Sequence, residues 1–203
     1  MKFLTVFFAL IIFVFAAHSA SAQASSPDDA PPAPDYYPEK WKEFTYETDG
    51  VKFRFPANPT LMTSTETVSD QKVSTRKYTR RSFIAMELWV VEYSPDSNLE
   101  EFKPIKETLQ NLRGVALDSI KSSNPKVIKE SEITVDGHAG KFMHVETDKG
   151  EVLRFKFFLV KNRMYYAFAA VKKGEKHGFN YENDFEKVAM GFLDSIKLTS
   201  AKK

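Results

Sequence analysis

The chain contains no cysteine, and this absence excludes several kinds of chemistry. Without thiols there are no disulfides, no thiolate nucleophile, no cysteine-ligated zinc or iron–sulfur centre, and no anchor through a lipidated cysteine. The folded part must therefore be stabilised by packing. The chain is long enough for this, because a domain near 150 residues buries about 70% of the surface that its unfolded chain exposes.

The chain also has little net charge, since 29 Lys and Arg oppose 27 Asp and Glu among its 203 residues. A balanced chain has no overall positive field to attract nucleic acid, whose binding domains are usually strongly basic. We therefore expect no nucleic-acid partner.

The common catalytic motifs are missing as well. No His-Glu-x-x-His pattern, Gly-x-Ser-x-Gly elbow or glycine-rich phosphate loop occurs. The segment 137–141, Gly-His-Ala-Gly-Lys, joins two predicted strands, so it predicts a turn that needs the positive φ of glycine, not an anion site at a helix N-terminus. His138, His144 and His177 are scattered, so the sequence predicts no metal site, no cofactor and no catalytic residue.

The first residues present an export signal. Lys2 precedes the run 3–17, which is apolar except for Thr5, and Ala20-Ser21-Ala22 places small residues at a cleavage position. The run is shorter than the roughly 20 residues that cross a membrane, which favours cleavage before Gln23 over an uncleaved anchor. We expect a bacterial protein outside the cytoplasm, either periplasmic or secreted.

Residues 23–40 follow the signal peptide 1–22 and hold five prolines with almost no aliphatic side chains. Such a segment cannot bury enough apolar surface to offset the entropy of ordering. It predicts a disordered leader, although Tyr36-Tyr37 could dock on the folded part. The domain is predicted at 41–199, with a short tail at 200–203.

Alternating apolar and polar residues predict most of the domain as antiparallel strands. A hairpin is expected around Asp49-Gly50, and a second extended pair at 72–81 and 83–93. Polar turns separate four more extended runs, at 126–135, 139–147, 151–160 and 163–172.

Two stretches instead carry the period of an amphipathic helix. The first runs from a cap at Ser97 or Asn98 to Ile120, with Pro104 kinking or restarting it and Gly114 weakening it by up to about 1 kcal/mol. Its predicted apolar stripe is Ile105, Leu109, Leu112, Ala116 and Ile120. The second spans 181–195, with an apolar face made of Phe185, Val188, Ala189, Phe192, Leu193 and Ile196.

The most apolar stretch, 155–168, predicts a hairpin with a two-residue turn at Lys161-Asn162. That turn places Leu159 opposite Met164, Phe157 opposite Tyr166, and Phe155 opposite Phe168, all on one side of the sheet. We interpret this side as core, which the two helices are available to cover. The predicted fold class is α+β, an antiparallel sheet covered by helices.

The opposite side of this hairpin is mixed and offers the first candidate binding surface. It combines cations and an aromatic ring with the small residues Ala167 and Ala169; the candidate binding residues are Arg154, Lys156, Arg163 and Tyr165. A shallow patch of this kind could hold an anionic ligand or the carboxylates of a partner. In the alternative, Ala167 and Ala169 let the second helix approach closely while the cations lie at its margin.

The basic run 76–81 offers the second candidate, with Arg76 and Arg80 as binding residues. It could bind phosphate groups or anionic lipid head groups. In the alternative, Glu87 and Glu92 on the next strand pair with it, and the run is a solvated, charge-balanced sheet edge.

Four segments carry a resemblance to a known fold family: "GVKFRFP", "VDGHAGK", "NRMYYAFAAV" and "FEKVAMGFLDSIKL". With the order of strands and helices, they resemble the α/β/α sandwich of the PsbP and Mog families, and most closely the bacterial exported PsbP-like proteins, over residues 41–199. The resemblance implies a non-enzymatic accessory or adaptor role.

We therefore expect an exported, non-catalytic domain that binds a protein or another envelope component. One alternative is a small hydrolase that uses Asp or Glu with His144. The other is a peripheral membrane module that uses residues 76–81.

Overall fold

A computed structural model describes residues 38–68, 71–81, 84–94, 104–173 and 184–199. The signal peptide 1–22, most of the leader 23–40 and the tail 200–203 lie outside these ranges. The strands are β1 (Lys42–Tyr46), β2 (Val51–Phe55), β3 (Thr60–Val68), β4 (Gln71–Arg81), β5 (Ala85–Tyr93), β6 (Pro125–Val135), β7 (His138–Thr147), β8 (Glu151–Val160), β9 (Arg163–Lys172) and β10 (Lys197–Leu198). The helices are α1 (Ile105–Ser119) and α2 (Glu186–Ser195).

The strands form two antiparallel sheets. Seven strands build the large sheet in the order β3-β4-β5-β9-β8-β7-β6, and three build the small sheet in the order β1-β2-β10. This arrangement confirms the α+β class and the antiparallel sheet covered by helices. It also confirms the hairpin at Asp49-Gly50 and the four antiparallel runs from β6 to β9.

The apolar hairpin has the predicted register. Leu159 lies opposite Met164, Phe157 opposite Tyr166, and Phe155 opposite Phe168. These side chains are buried in one core with the apolar face of α1, whose buried residues are Leu109, Leu112, Val115 and Ala116. The dense aromatic stretch is therefore core, as the alternation predicts.

The opposite face of the sheet is a second core, so of the two described helices only α1 covers the aromatic side, and α2 lies against Ala167 and Ala169 as in the alternative interpretation of this face. Here α2 and the small sheet pack together on the large sheet, burying Phe53 and Phe55 with Phe192. Phe158 and Tyr165 stack in the same layer with ring centroids 4.8 Å apart. The central strands β5, β8 and β9 are thus buried on both faces. The sequence did not indicate this clearly, because Arg154 and Lys156 interrupt the apolar residues of the second face.

The described residues bear out the predicted apolar face of the second helix more fully than that of the first. α1 starts at Ile105 after Pro104, whose extended ψ of 133° ends the preceding backbone, and Ile105 is 42% exposed although it was expected on the apolar stripe. α2 starts at Glu186, and all six residues of its predicted apolar face are buried. The predicted segments 98–103 and 181–183 lie outside the described residues.

The folded part begins inside the segment assigned to the leader. Pro38–Lys40 form a 3-10 turn against α2, and the Trp41 N–H donates to the Pro38 carbonyl at 3.3 Å. A Cβ on Gly191 of α2 would lie 2.5 Å from the ring of Pro38, so a glycine is required for this contact. The last residues of the predicted leader, Pro38–Lys40, therefore have regular structure and contact α2.

A bulge in β6 decides which core each of its apolar residues joins. The pairing with β7 shifts between Val127 and Lys129. Val127 therefore packs on the α1 side, whereas Ile133 and Val135 pack on the α2 side. Without the extra residue all three odd-numbered side chains would share one face, because side chains alternate along a strand.

Two strands were not predicted from the sequence. β10 pairs with β2, and its position is held by the Leu198 N–H, which donates to Asp136 Oδ2 at 2.7 Å, and by the Thr199 N–H, which donates to the Gly50 carbonyl. The other strand, β3, pairs with β4 along its whole length and forms one edge of the large sheet.

Two glycines are expected to respond in opposite directions to the same substitution. A Cβ on Gly140 of β7 would lie 2.6 Å from the carbonyl oxygen of Phe157, so Gly140→Ala forces β7 and β8 apart and lowers the free energy of unfolding by about 1 to 3 kcal/mol. A Cβ on Gly114 of α1 meets nothing within 4 Å. Gly114→Ala should therefore raise the free energy of unfolding by about 0.5 to 1 kcal/mol. Urea unfolding of both variants checks this. If the two changes in the free energy of unfolding had the same sign, the close contact at Gly140 or the open space at Gly114 would be contradicted.

Candidate binding surfaces

Asp49 lies at the centre of a buried polar cluster between the two sheets. The short turn Glu47–Asp49 ends at Gly50, whose φ of 62° lets the chain reverse into β2 and leaves Asp49 only 1% exposed. The Tyr78 hydroxyl donates to one carboxylate oxygen of Asp49, and Arg76 forms an ion pair with the other. The Tyr165 hydroxyl donates to the Asp49 backbone carbonyl at 2.6 Å.

Glu92 extends this cluster along the large sheet. It accepts from Arg76 Nη2 at 2.7 Å and from Arg163 Nε and Nη2 at 2.9 and 2.7 Å. Partial burial alone raises the pKa of Glu92, but the hydrogen bonds from the two arginines outweigh it and hold the pKa below its usual value. Burial and the hydrogen bond to Asp49 raise the pKa of Tyr78 well above its usual value.

Three of the predicted binding residues therefore meet in one place: Arg76, Arg163 and Tyr165. Their arginines face two carboxylates of the same chain, so the positive charges are matched internally. The cluster connects the Asp49 turn of the small sheet with β4, β5 and β9 of the large sheet. Its geometry suits a polar connection between layers, since buried charges are tolerated when they are paired and hydrogen-bonded.

Arg154 and Lys156 lie elsewhere, beneath α2. Arg154 donates from Nε and Nη2 to Glu186 Oε2 at 2.9 and 2.6 Å, with its guanidinium 5.4 Å from the centre of the Phe185 ring. Lys156 donates to the Leu193 carbonyl at 2.8 Å, near the end of α2. The two cations are buried rather than on a shallow open patch, which corrects that expectation. The observed packing is the alternative, in which the fully buried Ala167 and Ala169 let the helix approach.

The basic run 76–81 does not form one basic face. Arg76 points towards the α2 layer, whereas Lys77 points to the α1 side, where it forms a 2.8 Å ion pair with Glu87. Arg80 is half-buried and shares the Arg76 side of β4. The predicted pairing with Glu87 and Glu92 is confirmed, but β4 is the second strand of the sheet and not its edge.

His144 lies on the α2 side of β7, opposite Arg154 on β8. Its Nε2 is 3.5 Å from Glu146 Oε1. Burial and the nearby charge of Arg154 lower the pKa of His144, which disfavours the charged imidazolium. Glu146 in turn accepts from Lys173 at 2.9 Å.

The most open surface of the described chain is the edge strand β3. Eight consecutive residues, 60–67, are exposed, so side chains on both faces of the strand are in contact with solvent. Leu61 is 47% exposed and Met62 is 58% exposed. Among the described strands only β4 pairs with β3, so its outer backbone edge is unpaired there.

The other edge of the large sheet, β6, differs in both charge and regularity. Its eleven residues include Lys126, Lys129, Glu130 and Glu132, and the bulge interrupts its ladder. Glu130 also binds Arg113 of α1 at 2.7 Å. Charged residues and bulges are the features that protect sheet edges from pairing with other chains, and β3 has one charge and a regular register.

No protein-family model and no curated protein matches the chain. Solved structures do match it. The cyanobacterial PsbP protein (CyanoP) of Synechocystis sp. PCC 6803 is 9% identical, with 77% of this chain and 91% of that chain covered and a TM-score of 0.48. A protein of unknown function from Pseudomonas aeruginosa, described as a putative regulator, is 9% identical, with 72% and 92% covered and a TM-score of 0.33. A Bacteroides thetaiotaomicron protein is 10% identical, with 80% and 49% covered and a TM-score of 0.39.

A PsbP protein is thus among the solved structures that this chain resembles, as the sequence patterns predict. None of the helices in the described ranges is both long and apolar enough to cross a membrane. Within the same ranges, no group of three or more His, Asp or Glu side chains is arranged to hold a metal ion.

Sequence reasoning missed two features of the described structure, the Asp49 cluster and the edge strand β3. Asp49 was interpreted only as a turn residue, because nothing local indicates its contact with Arg76, 27 positions away in sequence. β3 was not predicted because its polar residues occupy both faces and no apolar alternation remains. Its threonines and valine are residues that favour strands, and this was the one available signal.

Proposed function

We propose that this protein is an exported, non-catalytic adaptor that binds a protein component of the cell envelope through the edge strand β3. The observation that carries the proposal is the exposure of residues 60–67 on both faces of a regular strand whose outer edge pairs with no described strand. The export signal predicted from residues 1–22 supports a location outside the cytoplasm.

An unpaired edge is a surface for association because it presents a row of backbone donors and acceptors. An extended segment of another protein can add to such an edge as a further strand, with main-chain hydrogen bonds providing affinity. The contrast within one sheet supports this role, since β6 carries a bulge and several charges while β3 has a regular register and a single charge.

The buried charges support a non-catalytic role. The carboxylates of Asp49, Glu87 and Glu92 face cations of the same chain. Groups that act in catalysis usually converge on a cleft with perturbed pKa values and room for a substrate. The basic run offers little support for membrane binding, because Arg76 and Lys77 point to opposite faces and both pair with carboxylates.

Photo-crosslinking from the two sheet edges tests the proposal. A benzophenone amino acid replaces Thr63 on β3 or Thr134 on β6, two exposed threonines on opposite edges. Each full-length variant is produced and irradiated in the source cells. We expect a discrete protein adduct from position 63 and none at that mass from position 134.

Adducts of equal yield from both positions, or none from position 63, would refute the role of β3. Turnover of a substrate that His144→Ala abolishes, without an adduct at position 63, would replace the adaptor with the hydrolase alternative.

A further inference from the structure

We infer that the segment bound at β3 is an antiparallel strand that carries a Lys or Arg opposite Glu66 and two neighbouring apolar residues opposite Leu61 and Met62. This inference rests on the proposed function and specifies the chemistry of the partner. It follows from the positions of the side chains of β3, from its single charge, and from the antiparallel direction of the sheet that the partner would extend.

The side chains of β3 divide between the two faces of the sheet. Met62 and Glu66 lie on the α1 side, opposite Lys77 and Val73 of β4, and Ser64 lies between them on the same face. Leu61 lies on the other side, opposite Tyr78. The edge therefore presents an exposed apolar residue to each face at one end and a carboxylate on the α1 side at the other.

Glu66 is the only charged residue in Thr60–Val68. It forms no ion pair with any residue of the described ranges, whereas the neighbouring strand has its cations paired at Arg76 and Lys77. Two side chains of opposite charge that face each other across neighbouring strands stabilise the pair, and two of like charge destabilise it. The free carboxylate on the edge therefore favours a basic residue in the added strand.

A second copy that pairs through its own β3 does not supply that basic residue. In an antiparallel pair related by a two-fold axis at Ser64, Glu66 would lie opposite Met62, and with the axis at Thr63 it would lie opposite Thr60. The other edge strand, β6, contains Lys126 and Lys129, but its bulge and its glutamates oppose pairing with a further strand. The charge pattern of β3 thus fits a different protein better than a symmetric pair of β3 strands.

The segment that precedes the described domain fits no better. Residues 23–37 contain three aspartates, four prolines and no Lys or Arg, so they offer no cation and few ladder donors.

The antiparallel direction follows from the sheet itself, in which every neighbouring pair is antiparallel. In that direction, the residue opposite Glu66 comes first, and the residues opposite Met62 and Leu61 follow four and five positions later. The partner motif is a basic residue, three spacer residues suited to strands, and then two apolar residues.

A peptide titration of the mature full-length chain tests this motif. The probe is a fluorescent peptide containing Lys-Thr-Thr-Thr-Ile-Val between polar flanks, compared with the same peptide with Glu in place of Lys. The variants are Glu66→Lys on β3 and, as a matched control, Glu132→Lys on the exposed side of β6. Fluorescence anisotropy measures the dissociation constants, and amide hydrogen exchange locates the bound peptide.

The Lys peptide should bind the unsubstituted protein about two- to five-fold more tightly than the Glu peptide, and Glu66→Lys should reverse this preference. Glu132→Lys should leave it unchanged. Amides at alternate positions of β3 should gain protection when the peptide is bound, because alternate residues of an antiparallel strand bond to the new neighbour.

Equal binding of the two peptides, protection outside β3, or no saturable binding up to about 1 mM would overturn the inference. The inference would also be overturned if sedimentation showed that the unsubstituted chain is a dimer and crosslinking placed β3 at the contact between the two copies. If Glu66→Lys left the protein adduct at position 63 unchanged, the adaptor role would stand, but the partner would need no basic residue opposite Glu66. No adduct at position 63 would remove both.

Discussion

Asp49→Ala is expected to lower the free energy of unfolding by about 3 to 5 kcal/mol. The substitution leaves the Arg76 guanidinium with one fewer carboxylate and removes the acceptor of the buried Tyr78 hydroxyl. When one partner of a buried pair is removed, the other stays buried without a compensating interaction. Its desolvation penalty is larger than the net contribution of the intact pair to stability. Urea unfolding followed by tryptophan fluorescence measures the change.

The matched control for this prediction is Asp118→Ala on the exposed side of α1, which should change stability by less than about 0.5 kcal/mol. Asp49→Asn keeps an acceptor for Tyr78 and should fall between the two. If Asp49→Ala and Asp118→Ala were equal within error, the Asp49 cluster would not hold the two sheets together.

The second large effect is expected at the ion pair between Lys77 and Glu87. Glu87 is 1% exposed, accepts from Trp89 Nε1 at 3.0 Å, and lies 2.8 Å from Lys77 Nζ. Lys77 also lies 4.4 Å from the centre of the Trp89 ring. Lys77→Met and Glu87→Leu should each cost about 3 to 5 kcal/mol, because each leaves a buried charge without its partner.

The double variant should cost much less than the sum of the two single variants, because it removes both charges together and retains apolar bulk. The exposed pair Glu43 and Lys52 in the small sheet is the control, and its removal should cost at most about 1 kcal/mol. Additive losses at Lys77 and Glu87 would show that the two groups do not interact energetically.

The elements that the sequence predicted well are those with a complete local pattern. The register of Phe157 with Tyr166 followed from period-two alternation on both sides of a two-residue turn, and Lys161 has the positive φ, 53°, that such a turn requires. The apolar faces of α1 and α2 followed from their helical spacing. The predicted stripe of α1 was less accurate at Ile105, which follows Pro104 in the first turn and is exposed.

The candidate site was harder to predict because its members are distant in sequence. Arg163 and Glu92 are 71 positions apart, and Tyr165 and Asp49 are 116 apart. Basic residues were correctly selected as notable, but their carboxylate partners could not be assigned before the strand order was known. The bulge between Val127 and Lys129 likewise depends on which core can accept Val127 and which can accept Ile133.

The sequence by itself determined that this protein lacks cysteine chemistry, forms antiparallel strands with two amphipathic helices, and uses its densest aromatic stretch as core. Those conclusions depend on residue types and on periods of two or 3.6, which are local properties. The tertiary structure alone decided between the alternatives for the second helix, brought Asp49 to Arg76 and Glu92 to Arg163, and showed that no described strand pairs with the outer edge of β3. These depend on which distant segments become neighbours, because burial and charge pairing are properties of the assembled sheet and not of any single segment.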